Sequence, residues 1–127
     1  MIKLSILIIS IFSLIYGIYF LFFPYSFVYL TDAEITNIAW LRSVGGAITG
    51  ILFIGLLIVY LNTKGSIRLL NVIIITSIIQ TSALTYSRLS NEFSANNLII
   101  IDITIYAAIF VTVYLLYISI KFKTLFI

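Results

Sequence analysis

LSILIISIFSLIYGIYFLFF, Leu4 to Phe23, is the stretch that decides the fold. It carries no charge. Its length matches a bilayer crossing, since about 20 residues rising about 1.5 Å each span a hydrocarbon layer of roughly 30 Å. A cleaved secretory leader is the competing reading, because Lys3 supplies a basic start. Leaders, however, have apolar segments of roughly 7–15 residues and close on small side chains. This run is longer and closes on Phe22-Phe23-Pro24-Tyr25, so it reads as a membrane anchor.

Three more stretches share its character. Ile38 to Leu61 is interrupted only by Arg42, Leu69 to Tyr86 carries no charge, and Leu98 to Ile120 is interrupted only by Asp102. The spacers are short. Thr31-Asp32-Ala33-Glu34 has the pattern of a capping box and starts the second helix near Asp32. Lys64-Gly65 makes the next turn, and Asn96 or Asn97 caps the last helix. Short connections force neighbouring helices to run antiparallel. The expectation is an all-α integral membrane protein, a four-helix up-down-up-down bundle forming a single domain over residues 1–127. Its helices fall at about 3–23, 32–61, 67–87 and 97–121. No repeat, low-complexity linker or strand pattern competes with it.

Composition points the same way. Of 127 residues, 63% are hydrophobic and 9% charged, against roughly 25% charged in soluble domains. Mean hydropathy is +1.27. A water-soluble chain of this size could not hide so much apolar surface, so lipid is the expected solvent. Cysteine and histidine are absent. That removes disulfides, thiol chemistry, thiolate or imidazole metal ligation and the commonest general base. No metal and no cofactor is expected. A net charge of +3 is too small to suggest nucleic acid as a partner.

The charges are better read as topology. Lys3, Lys64, Arg68, Lys121 and Lys123 fall at the N-terminus, the second turn and the C-terminus, which four crossings put on one side. Asp32, Glu34 and Glu92 fall in the other loops, with Arg42, Arg88 and Asp102 at or just inside the adjoining helix ends. The positive-inside rule then places both termini in the cytoplasm, and the compact, isoleucine-rich chain leads us to expect the plasma (inner) membrane of a bacterium as its setting. Tyr25, Tyr29, Trp40 and Tyr86 mark the outer interface, and Tyr60, Tyr114 and Tyr117 the inner one.

An ionic group inside hydrocarbon is costly, so it faces the bundle interior and finds a partner. Asp102 is expected to be held by Arg42, by Arg88 or by both, with Arg42 weighted above Arg88. Two arginines against one aspartate leave a positive charge over, for Glu34, Glu92, a lipid headgroup or an anionic ligand to meet. Ser77, Thr81, Thr85 and Arg88 recur at helical spacing with Gln80 beside them, and Tyr106 lies one turn below Asp102. Arg42, Arg88, Asp102, Tyr106, Gln80 and Glu34 are therefore the candidate ligand-binding residues of a narrow outward-opening cavity. The competing reading is a register-fixing ion pair amid ordinary interhelical hydrogen bonds.

Gly46-x-x-x-Gly50, with Gly45 and Ala47 alongside, is the small-residue pattern that lets two helix backbones approach. Thr104, Ala108 and Thr112 offer a matching stripe on the last helix, and Gly17 a notch on the first. Packing within the chain is the preferred use, with self-association as the alternative.

Gly17 and Pro24 around the end of the first helix, Asp32 and Glu34 in the following turn, Leu41-Arg42-Ser43-Val44-Gly45-Gly46 and then Gly50, Arg88 ending the third helix and an acid early in the fourth come in a recognisable order. In this the chain resembles the small bacterial four-helix membrane proteins of the domain of unknown function 4345 family, over nearly its whole length. Members of that family often have Gly before the helix-three arginine and Glu in helix four, where this sequence has Ser87 and Asp102. The resemblance implies a four-helix membrane protein with these charges at its centre and supplies no activity. The quinone-linked DoxX-like proteins share the plan by analogy of fold alone.

Two readings of function follow. In the first, the chain binds or passes a small amphiphile, lipid headgroup or anion at the Arg/Asp cluster. In the second it is an accessory or assembly subunit of a larger membrane complex and the charges are purely structural. An enzyme acting on a lipid or quinone, with Asp102 as acid or base and Tyr106 as proton donor, is the weakest reading without His or Cys. A four-helix multidrug exporter would need an acid deep in the first helix, which has none.

Overall fold

The computed structural model describes residues 1–33, 38–93 and 95–127. The described chain is all-helical. Four helices are long and apolar enough to cross a membrane: α1 (Ile2–Phe22), α3 (Ile38–Leu61), α4 (Ile67–Leu89) and α5 (Ile99–Lys121). Two short ones, α2 (Pro24–Thr31) and α6 (Lys123–Phe126), follow α1 and α5.

Side-chain contacts fix how these helices pair. Along α3, Arg42, Gly45 and Phe53 meet Leu21, Gly17 and Ser10 of α1 in that order. The order along α1 is reversed, so α1 and α3 run antiparallel. Asn71, Thr81 and Arg88 of α4 likewise meet Ser119, Thr112 and Asp102 of α5. Gly55 of α3 lies against Ile73 of α4, where an added Cβ would come within 2.9 Å of Ile73 Cδ1. Tyr16 of α1 hydrogen-bonds Thr104 of α5. Thr104 spends its own proton on Ile100 O at 2.8 Å, so the tyrosine is the donor.

Apolar and polar packing are unevenly divided. Ile6, Leu56, Val59, Leu70, Ile73, Ile74, Leu115, Ile118 and Phe126 form one buried cluster. It lies toward the end that carries Lys3, Lys64, Arg68, Lys121 and Lys123, the basic end. At the other end, which carries Asp32, Glu92 and Asp102, polar pairs take over: Tyr16–Thr104, Thr81–Thr112 and Arg88–Asp102.

Of the three glycines expected to pack, Gly45, Gly46 and Gly50, the close approach of α1 and α3 uses Gly45 alone. A Cβ on Gly45 would sit 2.7 Å from Leu21 N and 2.8 Å from Gly17 O, and one on Gly17 would collide with Thr49 Oγ1. Nothing lies within 4 Å of a Cβ built on Gly46 or Gly50. Successive helical residues point about 100° apart, so turning Gly45 to α1 leaves Gly46 facing outward. Thr104 and Thr112 pair with Tyr16 and Thr81, not with the glycines.

The first connection also differs from expectation. Pro24 lacks an N–H and ends α1, yet it suits the first position of a new helix. α2 follows and closes on Asp32, whose φ of 49° is left-handed. Thr31-Asp32 thus terminates a helix where a helix start was expected; Glu34, the fourth residue of the supposed capping box, lies outside the described residues. α2 is tied to the segment before α5. Asn97 N donates to Thr31 O at 3.0 Å, and Asn96 Nδ2 to Asp32 Oδ2 at 2.8 Å. Asn97 does help start α5, its Oδ1 accepting from Ile99 N at 3.3 Å.

Within α3, Ile48–Ile54 winds as a π-helical segment. The wider turn shifts the i→i−4 ladder, and the Phe53 carbonyl accepts from Ser10 Oγ of α1 at 2.9 Å.

Candidate functional site

α4 ends at Leu89, two residues beyond expectation, so Arg88 stands in its last turn, while Asp102 stands in the first turn of α5. Each charge suits its helix end: a cation beside terminal carbonyls, an anion beside terminal N–H groups. The antiparallel pairing of α4 and α5 then brings the two together. Arg88 Nε donates to Asp102 Oδ1 at 2.7 Å and Nη2 to Oδ2 at 3.3 Å. Two parallel bonds of this kind are the strong form of the contact and hold both planes in register. It is the one salt bridge among the described residues.

The pair is not sealed. Arg88 is 30% exposed and Asp102 38%. Both open onto a cleft of about 330 Å³ whose other walls are Thr85, Leu89, Ile105, Tyr106 and Ile109. Arg88 Nη1 makes no hydrogen bond to a described residue. Tyr106, a turn from Asp102, is 70% exposed and lends a hydroxyl to the rim. Leu89, Ile105 and Ile109 supply an apolar wall. The cleft is thus lined by a guanidinium whose Nη1 has no partner among the described residues, a carboxylate, a tyrosine and three apolar side chains.

Arg42 is not part of it. Its Nη1 donates to Leu21 O at 2.8 Å, and it makes no ion pair among the described residues. Leu21 is in the last turn of α1, where carbonyls lack helical donors, and the break at Pro24 keeps α2 from supplying them. Arg42 thus caps α1, against the expected pairing with Asp102. Gln80 is half-buried on α4 and does not line the cleft. Glu34 lies outside the described residues. Thr85 was legible from its spacing with Arg88. The apolar wall was not, because every face of α5 is isoleucine-rich.

Further down the α4/α5 seam, Thr81 donates to Thr112 at 3.3 Å and Ser119 to Asn71 at 3.2 Å. Ser77, between those levels, is buried with no partner for its hydroxyl among the described residues. A second hollow of about 410 Å³, lined by Tyr25, Val28, Tyr29, Asp32 and Ala33, flanks α2, but the Asp32 carboxylate there is occupied by Asn96. Compared with protein-family models, with curated proteins and with solved structures, the chain matches none.

Proposed function

We propose that the chain is a four-pass membrane protein, up-down-up-down, with both termini cytoplasmic in a bacterial inner membrane. We further propose that the Arg88–Asp102 cleft receives the polar end of a small amphiphile or lipid. The four apolar helices support the crossings, and the segregation of five cations to one end supports the orientation. Kinship with the domain of unknown function 4345 family belongs to the same proposal. The function rests on one observation: the ion pair is part-exposed and opens onto a cleft lined by both polar and apolar side chains. Enclosing the pair would cost the desolvation of both ions, whereas the open geometry leaves room for a ligand's polar group beside it. Here Arg88 keeps a donor for a phosphate, carboxylate or carbonyl, while Leu89, Ile105 and Ile109 accept hydrocarbon. This is a binding function, with no catalytic step assigned.

The test is retention of lipid by the purified protein. Native mass spectrometry of the wild type should show a small amphiphile surviving detergent exchange, and Arg88→Gln with Asp102→Asn should lose it while keeping the helical circular dichroism. Equal retention by the double variant would remove the site.

A second reading, an accessory subunit of a larger complex, draws on Gly46, Ala47 and Gly50, which face outward on α3. Under that reading Gly46→Leu with Gly50→Leu abolishes co-purification of a stoichiometric partner, and the cleft variants do not.

A further inference from the structure

The basic end has a construction of its own. After α5 ends at Lys121 the chain turns at Phe122 and winds one more turn, α6, which folds back under the bundle. Phe126 is the anchor: it is fully buried and belongs to the cluster containing Ile6, Leu70 and Ile118. The fold-back also reaches the turn between α3 and α4, where Gly65 N donates to Ile127 O at 3.1 Å. Gly65 has a φ of 80°, the left-handed region that suits glycine. Lys64 is thereby brought beside the segment carrying Lys123, with Arg68 in the first turn of α4 and Lys3 in the first turn of α1 at the same end.

All five cations are exposed, and none makes an ion pair among the described residues. The sequence places no acid nearby, since its four acids stand at 32, 34, 92 and 102. Lys121 is held in a particular way: its ammonium donates to Tyr117 Oη and lies 5.0 Å from the Tyr117 ring centroid and 5.7 Å from that of Phe122. Such rings favour the headgroup level of a bilayer, so they hold this charge where phosphates lie.

We propose that this rim, assembled by the fold-back of α6, binds the headgroups of anionic phospholipids in the leaflet around it. The proposal rests on the membrane reading above and goes beyond the positive-inside rule. That rule needs only charge on one side of the membrane. Here a buried phenylalanine and a backbone hydrogen bond bring the C-terminal segment against the turn before α4, so that the cations of three segments share one end, and none of their side chains has an ion-pair partner among the described residues. Polybasic surfaces of this kind draw acidic lipids and lose that preference as salt screens them.

The experiment is electron spin resonance of the full chain reconstituted in vesicles with spin-labelled phosphatidylglycerol or phosphatidylcholine. The expected result is a larger motionally restricted fraction for phosphatidylglycerol at low salt, with each cation contributing at most about fivefold. The preference should shrink toward parity in molar salt. Lys121→Gln with Lys123→Gln should reduce it, and Lys121→Arg with Lys123→Arg should keep it. Equal restriction of the two lipids overturns the rim while leaving the membrane reading intact. A preference unchanged by the glutamine pair overturns the rim as well. No restricted lipid of either kind would overturn the membrane reading itself.

Discussion

Gly45 and Gly46 are adjacent, chemically identical and opposite in consequence. Gly45→Ala places a methyl group within 3 Å of the backbone of α1 at two points. Backbone cannot swing aside as a side chain can, so the substitution is expected to cost about 1–3 kcal/mol. Gly46→Ala meets nothing and should be neutral or mildly stabilising, by up to about 1 kcal/mol of helix propensity. Unfolding in mixed detergent micelles, followed by circular dichroism, separates the two. If Gly46→Ala is the more damaging, the rotation of α3 is wrong. The sequence offered the motif but not the rotation, because Val44, Ala47, Ile48 and Ile51 around it can face lipid or protein alike. The embedded charges were legible in the same partial way. Their number and their common end followed from position alone. Which arginine meets Asp102 depended on which helix α5 packs against, and no local pattern encodes that. Arg42→Ala is accordingly expected to remove one cap on α1, about 1 kcal/mol or less, and not to strand a carboxylate. A thermal shift as large as that of Gly45→Ala would show Arg42 doing more than holding Leu21 O.

At the scale of elements, the length of the apolar runs placed three helices within two residues of where they lie, because a run of about twenty apolar residues has few alternatives. The second helix, expected from Asp32, is described from Ile38. What length missed were the irregular pieces. α2 was hidden because Thr31-Asp32-Ala33-Glu34 satisfies a helix-start pattern while Asp32 also tolerates the left-handed conformation that stops a helix. The π segment Ile48–Ile54 was hidden because nothing in its own residues marks a wider turn; it lies where the Ser10 hydroxyl of α1 meets the Phe53 carbonyl. Ser10→Ala removes that hydrogen bond from a half-buried carbonyl, at about 1 kcal/mol. Amide exchange should quicken over the second half of α3. Unchanged protection there would mean that the widened turn is self-sufficient. α6 is also held from outside itself. Phe126→Ala empties a fully buried site and is expected to cost about 3–5 kcal/mol. Proteolysis confined to the last residues would show that α6 detaches alone, and lowered stability of the whole bundle that it is integral to the core.

The whole molecule divides into two ends of different chemistry, and the proposed orientation assigns each to a compartment. The chain contains no cysteine, so single cysteines report position without background. Lys64→Cys and Thr124→Cys lie at the basic end, Ser90→Cys at the acidic end and Ile79→Cys midway along an exposed face of α4. With four crossings and cytoplasmic termini, a membrane-impermeant maleimide should label Ser90→Cys in intact cells. It should label Lys64→Cys and Thr124→Cys only after permeabilisation, and Ile79→Cys in neither case, because a thiol in hydrocarbon does not ionise to the reactive thiolate. The pattern separates errors of different kinds. Inverted labelling of all three loop sites would keep the bundle and reverse its direction, carrying the Arg88–Asp102 cleft to the cytoplasmic face. Matching behaviour of Ser90→Cys and Thr124→Cys would mean that α5 does not cross. The antiparallel pairing that joins Arg88 to Asp102 would then have no bilayer to span, and the cleft would lose the lipid whose headgroup it is proposed to hold.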